Sequence, residues 1–131
     1  MTPPVGFVTF LLVTVALLGA VVVTGRAARR RAHLTLVAFT VVSLGTTIWF
    51  AEKLGELYDL EAAGWITPVH LTLAKLTTLL YLAPVITGVM TLRNAVHRPK
   101  HRAMAWTVIT MTLLTAATGT WMILASEPLE V

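Results

Sequence analysis

Histidine is the residue type in this sequence best suited to chemistry, because its ring nitrogens ligate metals and heme iron. The chain has four: His33, His70, His97 and His101. His33 and His101 each begin a long apolar stretch beside an arginine, so together they could supply the two axial ligands of a transmembrane b-type heme. The simpler interpretation of His33, His97 and His101 is a polar residue at headgroup level. His70 lies on the other side of the chain's apolar stretches and has no second histidine there.

Lys75 lies about two turns inside an apolar stretch, where a charged side chain is costly and is normally paired. Glu52, at the outer end of the preceding stretch, is the nearest candidate in depth. The sequence therefore predicts a structural ion pair between Lys75 and Glu52. Two alternatives stay open. Lys75 either snorkels to the interface or handles protons or a ligand in a small transporter.

The chain offers little from which a catalytic site could be built. Its six carboxylates all lie in a loop, near helix ends or in the tail: Glu52, Glu56, Asp59, Glu61, Glu127 and Glu130. It has no cysteine, which excludes thiol nucleophiles, iron–sulfur clusters and cysteine-ligated zinc. We therefore expect a protein that is not an enzyme and holds no metal or other cofactor. Heme on His33 and His101 is the alternative.

Four apolar stretches position these residues. The sequence is 56% hydrophobic and only 12% charged, whereas soluble domains are about 25% charged. A helix of about 20 apolar residues crosses the bilayer core, and residues 5–24, 34–51, 69–92 and 104–125 have roughly this length. Short connections make neighbouring spans antiparallel. The sequence predicts an all-α membrane protein, a single domain over residues 1–131 that folds as an antiparallel four-helix transmembrane bundle.

The charges sort by side of the membrane. Eight of the 10 basic residues lie between the first two spans or between the last two, and all six acidic residues lie on the opposite side. The positive-inside rule places the basic connections in the cytoplasm and both termini outside, in the cytoplasmic membrane of a bacterium. Six basic residues are predicted to face anionic lipids rather than nucleic acid: Arg29, Arg30, Arg31, Arg98, Lys100 and Arg102.

Small and hydroxylated residues predict how the helices pack. Gly19, Ser43, Gly45, Gly88 and the run 115–119 stand where backbones could approach closely. Threonine is frequent in the spans, and its hydroxyl can bond the carbonyl four residues earlier on its own helix. The many threonines therefore require no separate polar function.

Two segments of the sequence echo each other. Arg31-Ala32-His33-Leu34 precedes the second span and Lys100-His101-Arg102-Ala103 precedes the fourth. In both, a histidine beside an arginine stands at the cytoplasmic entrance of the span. A duplicated helical hairpin would produce such an echo.

Several short motifs carry a resemblance to a known family. Lys100-His101-Arg102, Trp106-Thr107 and Thr118-Gly119 resemble a family of small four-span bacterial membrane proteins of unknown function. Some of its members are linked to the maturation of heme–copper terminal oxidases. Ala32-His33 and Pro84 agree with the family pattern, and the resemblance covers about residues 26–125.

The chain departs from the family pattern at two places. The family has a histidine that falls on Lys75, and often another near Glu52 and Lys53. Glutamate and lysine form a salt bridge rather than that ligand set, which favours a scaffold. His33 and His101 match the family's entrance histidines.

The resemblance implies a non-catalytic protein of the respiratory chain. It would be an accessory subunit or an assembly factor of a heme–copper terminal oxidase or a related complex, and its partners would be larger membrane subunits. A b-type electron carrier with heme on His33 and His101 is the alternative. A small transporter that uses Lys75 is the third hypothesis.

Overall fold

The computed structural model describes residues 1–129, and Glu130 lies outside that part of the chain. It is 86% helical. Four helical segments are long and apolar enough to cross a membrane: residues 3–26, 30–55, 66–93 and 95–125. The prediction of an all-α protein with four candidate spans is therefore confirmed.

The chain divides into two compact units, and the boundary between them along the chain lies between Tyr58 and Asp59. Each unit contains a helical hairpin whose two arms are long and apolar enough to cross a membrane. The prediction that the four spans form a single domain stays a prediction.

The first unit is the hairpin of α1 (Pro3–Arg26) and α2 (Arg30–Gly55). Proline in the first turn suits the start of α1, because the first helical N–H groups have no partner within the helix. The connection between the helices is tight, and Ala28 adopts a left-handed backbone conformation there, with φ of 54°.

The second unit contains the other hairpin and most of the loop that precedes it. The elements after α2 begin with β1 (Tyr58–Asp59), which contains the boundary between the units. They continue with a 3₁₀ turn (Glu61–Ala63), α3 (Ile66–Leu80), α4 (Leu82–Arg93), a second 3₁₀ turn (Ala95–His97), α5 (Arg98–Ala125) and β2 (Glu127–Pro128). The strands β1 and β2 pair as a two-stranded sheet.

The third predicted span is two helices rather than one. It is interrupted at Tyr81, between α3 and α4. Pro84 explains the interruption, because proline has no N–H to donate to the carbonyl of Leu80 four residues earlier. The backbone of Tyr81 keeps helical angles, φ of −58° and ψ of −21°, so the chain continues across the break in nearly the same direction.

Threonine forms much of the buried surface within each hairpin. Thr14, Thr40 and Thr47 are buried in the first unit, and Thr77 and Thr87 in the second. The predicted bond to the carbonyl four residues earlier is confirmed at many positions, including Thr14, Thr40, Thr78, Thr107 and Thr120. Hydroxyl groups can therefore lie inside the hairpins without leaving a donor unsatisfied.

The small-residue prediction is confirmed in part. Ser43 is buried, and Gly88 and Gly119 each face a side chain across their hairpin. It was wrong for Gly19 and Gly45. A Cβ atom on either would meet no described atom within 4 Å, because both glycines face away from the helix contacts.

Candidate functional site

Three of the four histidines lie against a Thr-Gly pair on the neighbouring helix of their own hairpin. In the first hairpin, His33 at the start of α2 faces Thr24 and Gly25 at the end of α1. Its Nδ1 lies 3.0 Å from the carbonyl oxygen of Val21 and 3.5 Å from the hydroxyl of Thr24. A Cβ on Gly25 would lie 3.2 Å from the ring's Cε1, so glycine permits this close approach.

His101 occupies the same kind of position in the second hairpin. It lies near the start of α5 and faces Thr87 and Gly88 on α4. Its Nδ1 is 3.3 Å from the Thr87 hydroxyl, and a Cβ on Gly88 would lie 3.3 Å from the ring's Cε1. The predicted site residues His33 and His101 therefore have matching surroundings, each within its own unit.

His70 makes the third contact of this kind, at the opposite end of the second hairpin. It lies in the second turn of α3 and faces Thr118 and Gly119 on α5. Its Nδ1 is 3.0 Å from the Thr118 hydroxyl. A Cβ on Gly119 would be only 2.7 Å from the ring's Cε1, so this ring packs most closely of the three.

The hydrogen bonds assign the proton on each ring. The hydroxyls of Thr24, Thr87 and Thr118 donate to the carbonyls of Ala20, Ala83 and Leu114 at 2.7–2.9 Å. A hydroxyl has a single proton to donate, so the oxygens of Thr118 and Thr87 accept from Nδ1–H of His70 and His101. At His33 the Nδ1–H donates to the carbonyl of Val21, which lies closer than the Thr24 hydroxyl. In the neutral rings Nε2 is then the basic nitrogen. A bond that fixes Nδ1–H in this way is the usual support of a histidine that ligates through Nε2.

Equivalent contacts recur at constant sequence offsets. Thr14 bonds Thr47 at 3.0 Å in the first hairpin, and Thr77 bonds Thr115 at 2.9 Å in the second. Thr77 lies 63 positions after Thr14, and Thr87 lies 63 positions after Thr24. On the second helix of each hairpin the offset is 68, both from Thr47 to Thr115 and from His33 to His101.

These offsets extend the short sequence echo to whole hairpins. Adding 63 to a position in α1 gives the matching position in α3 or α4, and adding 68 to a position in α2 gives the matching position in α5. We call two positions related in this way equivalent. The offsets differ by five residues. Four of these extend the end of α4 beyond the position equivalent to the end of α1, and one lengthens the connection that follows.

Lys75 and Glu52 are both exposed and belong to different units, so their predicted ion pair stays a prediction. The structure instead joins Lys53 to Glu56, with Nζ 2.7 Å from Oε1. Sequence reasoning missed this pair. Its signal was the spacing of three residues at the end of a predicted helix, which brings side chains onto one face.

The six basic residues predicted to face lipid are all exposed, at the beginning of α2 and of α5. Cations are disfavoured at a helix N-terminus, because the positive end of the macrodipole lies there. Helix stability therefore does not explain their position, and the predicted contact with anionic headgroups stays a prediction. His97 lies in the 3₁₀ turn that precedes α5, and its predicted headgroup role is untested.

A shallow groove runs along the beginning of α5. Arg98 and Arg102 line it one turn apart, together with the ring of Trp106. Two guanidinium groups beside an aromatic ring suit an anionic headgroup and its adjoining acyl chain.

Replacing both Arg98 and Arg102 with glutamine is expected to weaken binding of an anionic phospholipid. Each basic residue near an anionic surface contributes about 1 kcal/mol, so the double variant should lose roughly tenfold or more in affinity. Titration of phosphatidylglycerol followed by native mass spectrometry measures this. Lys53→Gln, in the last turn of α2, is the control and should bind as the unmodified protein does. If the double variant bound the lipid as tightly as the unmodified protein does, the groove would be excluded as the lipid-binding site.

Comparison of the chain with models of protein families, with curated proteins and with solved structures found no match. The resemblance carried by the motifs around His33 and His101 therefore stays a prediction. Among residues 1–129, no three histidine or carboxylate side chains converge as metal ligands.

Proposed function

We propose that this protein is a non-catalytic accessory subunit or assembly factor of a larger membrane complex, a heme–copper terminal oxidase or a related respiratory complex. One observation carries the proposal. Many of the threonine hydroxyls in the spans, and the rings of His33, His70 and His101, take part in hydrogen bonds that hold a hairpin together. Polar groups used in this way act as structure, and helix association is their best-attested role in lipid.

The outward faces of the helices support association with other subunits. Large apolar side chains are exposed along them, including Leu12, Phe39, Leu79 and Leu124 at 61–81%. Such a surface is covered by lipid or by another apolar protein surface. The resemblance to the oxidase-linked family supports a respiratory partner.

We place the chain in the cytoplasmic membrane of a bacterium, with both termini outside. Eight of the 10 basic residues lie in the connections between α1 and α2 and between α4 and α5 or in the helix ends that adjoin them, and basic connections stay in the cytoplasm.

Native purification tests the proposal. The tagged chain is isolated from its own membranes in mild detergent, and co-purifying proteins are identified by mass spectrometry. An unrelated four-span protein with the same tag is the control. We expect respiratory subunits in stoichiometric amounts for an accessory subunit, and heme-synthesis or copper-delivery proteins in smaller amounts for an assembly factor. Recovery of the chain alone would contradict the proposal.

A second candidate function is electron transfer through a b-type heme. The observation that favours it is the bond from Nδ1–H of His33 to the carbonyl of Val21, which makes Nε2 the basic nitrogen, as an axial ligand requires. His101 is its equivalent in the second hairpin. These two rings would hold the iron, and the heme would supply one-electron chemistry.

A visible spectrum after reconstitution with heme tests this candidate. A Soret band that disappears in both His33→Ala and His101→Ala, and persists in the control His97→Ala, would support it. Absence of the band from the reconstituted protein would eliminate it.

A further inference from the structure

Lys75 lies on the outward face of α3, deep within the span. It follows Ile66, the first residue of α3, by nine positions, which is about 14 Å along a helix. Its neighbours Thr72, Leu76 and Leu79 are also exposed, and we call these four residues the Lys75 face. In a membrane this face meets lipid or another protein. An ammonium group at such a depth is costly in lipid unless a partner neutralises it.

The described chain supplies no such partner. Among residues 1–129 the only salt bridge joins Lys53 to Glu56. The carboxylates in this part of the chain lie near helix ends or in loops, and none lies within a span at the depth of Lys75. The four-carbon stem of lysine covers only part of the distance to the interface by snorkelling.

The first hairpin indicates that this charge does not serve the fold of the second. Sixty-three positions before Lys75, the equivalent residue is Leu12, which is 64% exposed. The same hairpin contacts therefore form with an outward leucine at this position. The lysine is a feature of the surface rather than of the helix packing.

The surface beside Lys75 suits a docked helix. Pro68, Val69, Thr72, Leu73 and Leu76 line an open groove along α3. Thr72 is small enough to let a neighbouring backbone approach closely, as residues at transmembrane helix contacts do. The groove and the ammonium group lie on one side of the same helix.

We propose that the Lys75 face is the docking surface for a transmembrane helix of a different protein, and that this helix carries an Asp or Glu carboxylate at the depth of Lys75. The inference rests on the proposed function, because it names the surface by which the partner is held. A second copy of this chain is a poorer occupant. Its deepest carboxylate, Glu52, lies only three residues before α2 ends.

Photo-crosslinking in intact membranes tests the surface directly. A photo-reactive amino acid replaces Leu76, which is 55% exposed and adjoins Lys75. Its matched control is the same replacement at Val13, the equivalent position of the first hairpin, which is 42% exposed. Both forms are also made with Lys75→Leu and with Lys75→Arg. Elution as a single species from size-exclusion chromatography checks that each variant folds.

We expect position 76 to form an adduct with one other membrane protein, through a helix that contains an Asp or Glu. Lys75→Leu should lower its yield at least about tenfold, because an unpaired carboxylate then stays buried in the contact. Lys75→Arg should retain it, and position 13 should form none. The proposal is overturned by adducts with lipid alone, by an adduct of twice the chain's mass, or by a yield that Lys75→Leu leaves unchanged.

The same experiment separates the two proposals. Protein adducts at position 13 alone, or a co-purifying partner without an adduct at position 76, would contradict the Lys75 face as the docking surface. The proposed function would still stand. Absence of protein adducts at both positions, with no co-purifying partner, would overturn both.

Discussion

Replacing Gly6 with alanine is expected to lower the free energy of unfolding by about 3 kcal/mol, the upper end of the usual cost of overpacking. A Cβ at this position would lie 2.2 Å from Cε1 of Phe50. The Phe50 ring has little room to move, because it stacks on the Phe10 ring with the centroids 5.6 Å apart and packs edge to face against Trp49 with the centroids 4.8 Å apart. Unfolding in mixed micelles with rising SDS measures the change.

Two further variants make this prediction specific. Phe50→Leu should recover part of the loss in the Gly6→Ala protein, because it removes the ring that the new methyl group meets. Gly19→Ala, on the same helix, is the matched control. A Cβ there would meet no described atom within 4 Å, so stability should stay equal or rise by up to about 1 kcal/mol. Equal losses for Gly6→Ala and Gly19→Ala would contradict the packing argument.

Replacing Gly119 with alanine is expected to cost about 2 kcal/mol and to displace the ring of His70. The new Cβ would lie 2.7 Å from Cε1 of that ring, 3.2 Å from Nε2 and 3.3 Å from Nδ1. Moving the ring away from α5 breaks the 3.0 Å bond between Nδ1 and the Thr118 hydroxyl. Unfolding measurements and the NMR shift of labelled His70 report the two effects separately.

The same replacement at the two other glycines that face a histidine should cost less stability. Gly25→Ala and Gly88→Ala place a Cβ 3.2 and 3.3 Å from their histidine rings, so their losses should stay below about 1 kcal/mol. A double-mutant cycle adds a second check. Thr118→Val should matter less in the Gly119→Ala protein than in the unmodified chain, because the hydrogen bond is already broken. An undiminished effect of Thr118→Val would show that the ring had not moved.

The spans were predictable because they depend on composition and length, which are read from the sequence alone. The break at Tyr81 was accessible in principle from Pro84, since the loss of one N–H acts locally. Gly19 and Gly45 were placed wrongly for a different reason. A glycine facing a helix contact and one facing outward look alike when the chain shows no strong amphipathic pattern.

The histidine sites were predictable only in part. The echo around His33 and His101 identified two equivalent positions, but their threonine partners lie nine and 14 residues away, and the partner of His70 lies 48 residues away. No local pattern encodes such pairings. One signal could have been used: the sequence contains three Thr-Gly pairs, at positions 24, 87 and 118, and each faces a histidine.

The segment from Thr24 to His33 is five residues shorter than the segment from Thr87 to His101, yet both hairpins close the same Thr–His and Thr–Thr contacts. Loop-closure entropy changes slowly with length, by about 0.6 kcal/mol for a doubling. The stretch between Asn94 and Arg98 is therefore the natural place to lengthen the chain. An epitope, a protease site or a fluorescent domain inserted there would leave every helix contact in register.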